Sequence, residues 1–141
     1  MNSRSSTRAE GRAGETVAVN YLRSLGYTIL CRNYRSQYGE IDIIALDGRT
    51  YAFIEVKMRS DTELQHHYGR PMRAVNSAKK QRIMQTAKQY IKENSLHERP
   101  ARIDAMEIYK SDHGDCLSFR INYIKHIMSD TSYSSSYDNY R

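Results

Sequence analysis

The segment that most restricts the fold is "GEIDIIALDGRTYAFIEVKM", residues 39–58. Its halves alternate with period two on either side of the turn-forming "LDGRT", so they read as two strands, 39–46 and 51–58, closed into a hairpin. Alternation sends Tyr51, Phe53, Glu55 and Lys57 to one face and Ala52, Ile54, Val56 and Met58 to the other. In the first strand Glu40, Asp42, Ile44 and Leu46 share a face, opposite Ile41, Ile43 and Ala45. Each strand carries charge on one face only.

A turn at Gly48-Arg49, or a loop of residues 47–50, makes paired positions sum to 97, so that Asp42 faces Glu55 and Glu40 faces Lys57. A turn at Asp47-Gly48 moves the register by two and leaves Asp42 and Glu55 as diagonal neighbours on the same face. Carboxylates directly opposed on a sheet have Cβ atoms about 4.5–5.5 Å apart and repel each other. A shared proton, a nearby lysine or a hard divalent cation would offset that repulsion, and magnesium favours one or two carboxylates together with water and phosphate oxygens. Lys57 stands about 6.5–7 Å along the strand from Glu55, close enough to sit beside a cation without occupying its place. The plain alternative is an exposed sheet edge with a Glu40 to Lys57 ion pair and two solvated acids.

The rest of the chain supplies elements to cover such a sheet. Val17, Ala18, Tyr21, Leu22 and Leu25 recur at helical spacing over residues 9–25, with Gly26 as the stop. Glu15 falls beside that apolar stripe rather than opposite it, an odd place for a carboxylate. A strand is expected at 27–34. Residues 59–74 read as a long polar loop, and 76–93 as an amphipathic helix with Ile83, Met84, Ala87 and Ile91 on one stripe and Arg82, Gln85, Gln89 and Lys92 on another. Two more strands follow at 101–109 and 117–127, separated by "KSDHGD".

At 141 residues the chain fits one domain. The expected organisation is a disordered lead-in over 1–10, one domain over 11–128, and a disordered Ser- and Tyr-rich tail over 129–141, which has too little aliphatic content to offset the entropy of ordering it. The 22 Lys and Arg against 16 Asp and Glu give a formal charge of +6, which favours polyanionic partners. No stretch approaches the roughly 20 apolar residues of a membrane span. Cys31 and Cys116 lie outside any CxxC, which argues against a disulfide framework or structural zinc and for reduced thiols in a soluble, cytoplasmic protein. His66 and His67 are adjacent, so their side chains tend to point apart and make a poor metal pair. There is no Gly-rich phosphate loop.

With those residues placed, the sequence resembles the PD-(D/E)xK nuclease superfamily, and more closely the bacterial YraN-like family, described as predicted endonucleases distantly similar to archaeal Holliday-junction resolvases. The stretches that carry the resemblance are "GRAGETVAVNYLRSLGYTILCRNYR", "GEIDIIALDG", "FIEVKMR", "AVNSAKKQRIMQTAKQYI" and "RIDAMEI", which together cover roughly residues 11–128. Ile41 stands where the superfamily name has proline. The resemblance implies an α/β, restriction-endonuclease-like core, a mixed central sheet flanked by helices. It implies Asp42 and Glu55 as metal-binding acids with the Val56 carbonyl as a further ligand, Lys57 as the residue that orients or activates water, and Glu15 as an additional acid. Gln81 and Glu40 are accessory candidates.

The expected reaction is magnesium-dependent, or manganese-dependent, hydrolysis of DNA phosphodiester bonds, at branched or repair intermediates. Candidate phosphate contacts are Arg32, Arg35, Arg59, Arg70, Arg73, Lys79 and Lys80, the last two in the first turn of a helix, where positive charge opposes the macrodipole. Branched-DNA resolution needs two sites, which a homodimer would supply and a strict monomer would argue against. The rival reading is a nucleic-acid-binding protein that keeps the fold without the catalysis.

Overall fold

A computed structural model describes residues 3–60 and 77–128. In chain order the elements are α1 (Ser3–Ser24), β1 (Thr28–Arg35), β2 (Glu40–Asp47), β3 (Thr50–Ser60), α2 (Ser77–Glu93), β4 (Ala101–His113) and β5 (Cys116–Met128). The strands form one mixed sheet in the order β1-β2-β3-β4-β5. The β3 and β4 strands run parallel and the other neighbours antiparallel. A parallel pair needs a crossover, and α2 lies in the segment that provides it.

All the expected strands and both helices are present: α1, β3, β4 and β5 are longer than expected, β1 and β2 are shifted by one residue, and α2 starts one residue later. The helix α1 starts at Ser3 rather than Ala9, because each residue added to a nucleated helix gains a hydrogen bond. Its end is a Schellman turn. Gly26 has φ 89°, its N–H donates to the Arg23 carbonyl at 3.0 Å, and the Tyr27 N–H donates to the Leu22 carbonyl at 3.0 Å. Strand β3 runs past Met58 to Ser60 because its pairing with β4 continues to Ser60 and Lys110. The remainder of the expected polar loop, with Arg70, Arg73, His66 and His67, and the tail over 129–141 lie outside the described residues.

The β2–β3 register has Asp47 opposite Thr50, Leu46 opposite Tyr51 and Ile43 opposite Ile54, the sum-of-97 register. Gly48 at φ 59° takes the first central position of the two-residue loop, where a type II′ turn requires glycine. Two apolar clusters separate by strand parity. Ile43, Ala45, Ala52, Ile54 and Met106 pack with Ala18 and Leu22 of α1, whereas Ile44, Phe53 and Ile103 pack with Ile83, Ala87 and Ile91 of α2. The sheet is therefore covered by one helix on each face.

Alternation fails at one place. Ile41 was expected to share a face with Ile43, but it packs with Ile44 and Phe53 under α2. The last β2–β3 pair is Ile43 with Ile54, so nothing on β3 holds β2 to its pleat beyond that point.

Near the start of β4, in register with Ile54 of β3, Asp104 is fully buried inside a polar cluster. Its carboxylate accepts from Arg102 Nε, from the backbone N–H of His126 at 2.8 Å and from the Tyr123 hydroxyl. Arg102 also pairs with Asp47 at 3.0 Å and donates to the Tyr27 hydroxyl at 2.9 Å. Burial and this carboxylate push the Tyr123 phenol well above its ordinary range.

Candidate functional site

The acidic pair lies where the β2–β3 ladder ends. Asp42 and Glu55 would form the next rung after Ile43 and Ile54, but the strands have parted, and Val56 N–H donates to Asp42 Oδ2 at 2.7 Å. In a two-residue hairpin hydrogen-bonded pairs alternate from the turn, so this amide would otherwise meet the Ile41 carbonyl. A side chain has replaced a strand bond. The parted strands and the first turns of α2 enclose a depression of about 310 Å³ lined by Gly39, Glu40, Asp42, Glu55, Lys79, Arg82 and Ile83.

Electrostatics there are strained. The Asp42 carboxyl is pushed up to about 7, first by burial and second by the Glu55 carboxylate, with a smaller contribution from Glu15; the Val56 amide pulls the other way. Glu55 is 14% exposed and forms an ion pair with Lys79 Nζ at 2.9 Å. Among the described residues no three His, Cys, Asp or Glu side chains converge at metal-site spacing. Two carboxylates with the neighbouring Val56 carbonyl are hard oxygen donors, and they leave the remaining positions of a small cation to water and substrate, as magnesium prefers.

Glu15 reaches this region from the other helix. Gly14 makes that approach possible: a Cβ at this position would stand 2.5 Å from Cγ and Sδ of Met58 on β3. Glu15 then accepts from Asn33 Nδ2 at 3.1 Å and faces Arg32 at 3.6 Å. Asn33 lies between the Arg32–Ile43 and Tyr34–Ile41 pairs, hence across from Asp42, with φ 55° in the left-handed region. Asparagine tolerates that backbone better than most residues and is depleted from strands, which was the available signal in "CRNYR" for a residue overlooked by the sequence reading.

The other expected residues distribute as follows. Lys57 is exposed, and among the described residues it takes no ion pair; its partner across the parallel pair is Glu107 of β4. Glu40 does not pair with Lys57, because the ladder stops short of them. It faces Arg35 on β1 at 3.5 Å. Arg59 is not at the surface: only 12% exposed, it lies 3.5 Å from Glu107, which also accepts from the Tyr109 hydroxyl. Lys80 is half-buried and Gln81 exposed, both outside the lining of the depression. Lys79 is the charge that sequence reasoning did not place beside the acidic pair, since its approach depends on the β3–α2–β4 crossover.

Among the described residues no helix is long and apolar enough to cross a membrane. The sequence model of the family described as "Uncharacterised protein family UPF0102" matches residues 14–108, a span that holds the whole acidic site. The chain is 39% identical over 121 residues to a UPF0102 protein of Carboxydothermus hydrogenoformans, covering 86% of this chain and 96% of that one. It is 42% identical over 117 residues to a UPF0102 protein of Clostridioides difficile, covering 83% and 94%. A UPF0102 protein of Geotalea daltonii is 41% identical over 103 residues, covering 73% and 78%. By the span of the family match and the reach of these relatives, the chain belongs to the UPF0102 family.

Proposed function

We propose that this protein is a metal-dependent endonuclease that hydrolyses DNA phosphodiester bonds, acting at branched or repair intermediates in the manner its resemblance to the PD-(D/E)xK superfamily implies. The observation that supports it most is the crowding of Asp42 and Glu55 at an opened strand pair, with Asp42 pushed up to about 7. A fold keeps such a pair at a cost to its stability, and a bound divalent cation relieves that cost.

Asp42, Glu55 and the Val56 carbonyl would hold magnesium or manganese, which when bound supplies polarisation of the phosphoryl oxygen and a more acidic water. The Val56 amide fixes the Asp42 carboxylate in place. Lys57, exposed on the same strand face as Glu55, would stabilise negative charge developing on the phosphoryl group. Lys79 neutralises Glu55 at 2.9 Å. Asn33 and Arg32 orient Glu15.

One observation favours a non-catalytic nucleic-acid-binding protein: the Lys79 ammonium already compensates Glu55 at 2.9 Å. Incubation of single-stranded, duplex and branched DNA with magnesium or manganese, beside Asp42→Ala, separates the two readings. Metal-dependent cleavage lost in the variant is expected. Salt-sensitive binding with no cleavage of any substrate would leave the binding protein.

A further inference from the structure

Beside the acidic depression runs a second, larger groove of about 950 Å³, lined by Gln37, Tyr38, Gln85, Lys88, Gln89, Lys92 and Glu93. It lies between the β1–β2 turn and the outer side of α2. The two hollows adjoin along both walls, since Tyr38 precedes Gly39 on the turn and Gln85 follows Arg82 by one helical turn. The geometry points to this groove as the track for one unpaired nucleic-acid strand leading away from the acidic pair, with Tyr38 as a stacking platform and Arg82 and Lys92 as phosphate contacts. It rests on the nuclease reading for where the scissile phosphate lies.

The turn that carries Tyr38 is pinned. Ser36 N–H donates to the Gly39 carbonyl at 2.8 Å, and Ser36 Oγ accepts from the N–H groups of Tyr38 at 3.0 Å and Gly39 at 3.3 Å. The same hydroxyl bonds the buried Thr86 hydroxyl of α2 at 3.0 Å. A turn fastened to the helix therefore presents an aromatic ring that is 41% exposed, set in place before any ligand arrives. A lone exposed tyrosine is ordinary. This one faces a wall on which Arg82, Gln85, Gln89 and Lys92 follow one another at three- and four-residue spacing, one face of the helix.

Charge and chemistry select the ligand. Glu93 is the acid of this groove, and both its oxygens are engaged, by Gln89 at 2.9 Å and by the Tyr34 hydroxyl at 2.8 Å. It closes the far end. Between it and the acidic depression the wall offers cations and amides, which suit phosphates and base edges, while the tyrosine suits a base face. Base faces are available only when a strand is unpaired. From Arg82 to Lys92 the helix rises about 15 Å, on the order of four nucleotides at the roughly 3.4 Å spacing of a stacked strand.

The test measures binding of the full chain to a labelled single-stranded DNA twelvemer by fluorescence anisotropy, with EDTA present so that no cleavage intervenes. The matching duplex and a polyglutamate peptide serve as competitors. Tyr38→Ala is expected to weaken single-strand binding about 5- to 100-fold, with Tyr38→Phe close to the parent. Lys92→Ala should lower the slope of log K against log salt by about 0.7. Unchanged affinity in both Tyr38→Ala and Lys92→Ala, or equal competition by polyglutamate, would overturn the proposal. Loss of affinity in Tyr38→Ala, in a protein that cuts nothing when magnesium is supplied, would support the track while removing the nuclease.

Discussion

Val56 donates its backbone N–H to the Asp42 carboxylate across the opening between β2 and β3, at 2.7 Å. That bond fixes the orientation of a buried acid and spares β3 an unpaired amide where the ladder gives out. It does not hold the acid at its ordinary value, since burial and Glu55 together outweigh it.

The stability of the protein should therefore depend on pH through Asp42. Its folded value of about 7 is above the ordinary 3.8, so between these values the folded state binds a proton that the unfolded chain has released. On that sign, stability falls as pH rises from about 4 to about 7, by up to a few kcal/mol. Asp42→Asn should melt higher than the parent at pH 8 and level with it near pH 4. Parallel melting curves for the two proteins across that range would exclude this account.

Magnesium should act in the opposite direction. At a hundredfold excess over its Kd, it is expected to stabilise the parent by about 2.7 kcal/mol at pH 8. Neither Asp42→Ala nor Glu55→Gln should respond. Differential scanning calorimetry with and without the ion reads this directly, and an equal shift in all three proteins would place the cation elsewhere.

Lys79→Ala should leave Glu55 uncompensated beside Asp42. In metal-free buffer a loss of about 1–2 kcal/mol is expected, between the values for exposed and buried pairs, because Lys79 is 38% exposed and Glu55 14%. Isothermal titration should show magnesium binding several-fold more tightly to the variant, since no ammonium competes for Glu55. Weaker magnesium binding would show that Lys79 supports the cation site.

Gly14→Ala tests the seam between α1 and β3. Alanine favours a helix by up to about 1 kcal/mol, but the new Cβ would stand 2.5 Å from Met58 Cγ and Sδ, an overlap that costs about 1–3 kcal/mol. A net loss of stability is expected in the parent, and a much smaller one when Gly14→Ala is added to Met58→Ala, which has already given up the overlapping atoms at its own packing cost. Additive losses in urea unfolding would mean that the two side chains do not meet.

The hairpin was legible because period-two alternation and a Gly-containing turn fix register together, and that register put Asp42 and Glu55 on one face. The helices were legible from their apolar stripes. Three features were not. Ile41 turned under α2 where β2 keeps its β1 partner but has lost β3, whose ladder ends at Ile43 and Ile54. Glu55 met Lys79 rather than water, and Arg59 met Glu107, because those partners arrive across a crossover whose path the local pattern does not encode. Asn33 needed a backbone conformation that only the assembled β1–β2 pair reveals.

Asp42 and Asp104 make an instructive contrast within one sheet. Asp104 is fully buried, and both its oxygens accept hydrogen bonds, from a guanidinium, a hydroxyl and a backbone amide. Asp42 has one amide and an acidic neighbour. The saturated aspartate is mortar, so substitutions at Asp104 should be read out in how much folded protein a cell accumulates, and substitutions at Asp42 in what the folded protein binds.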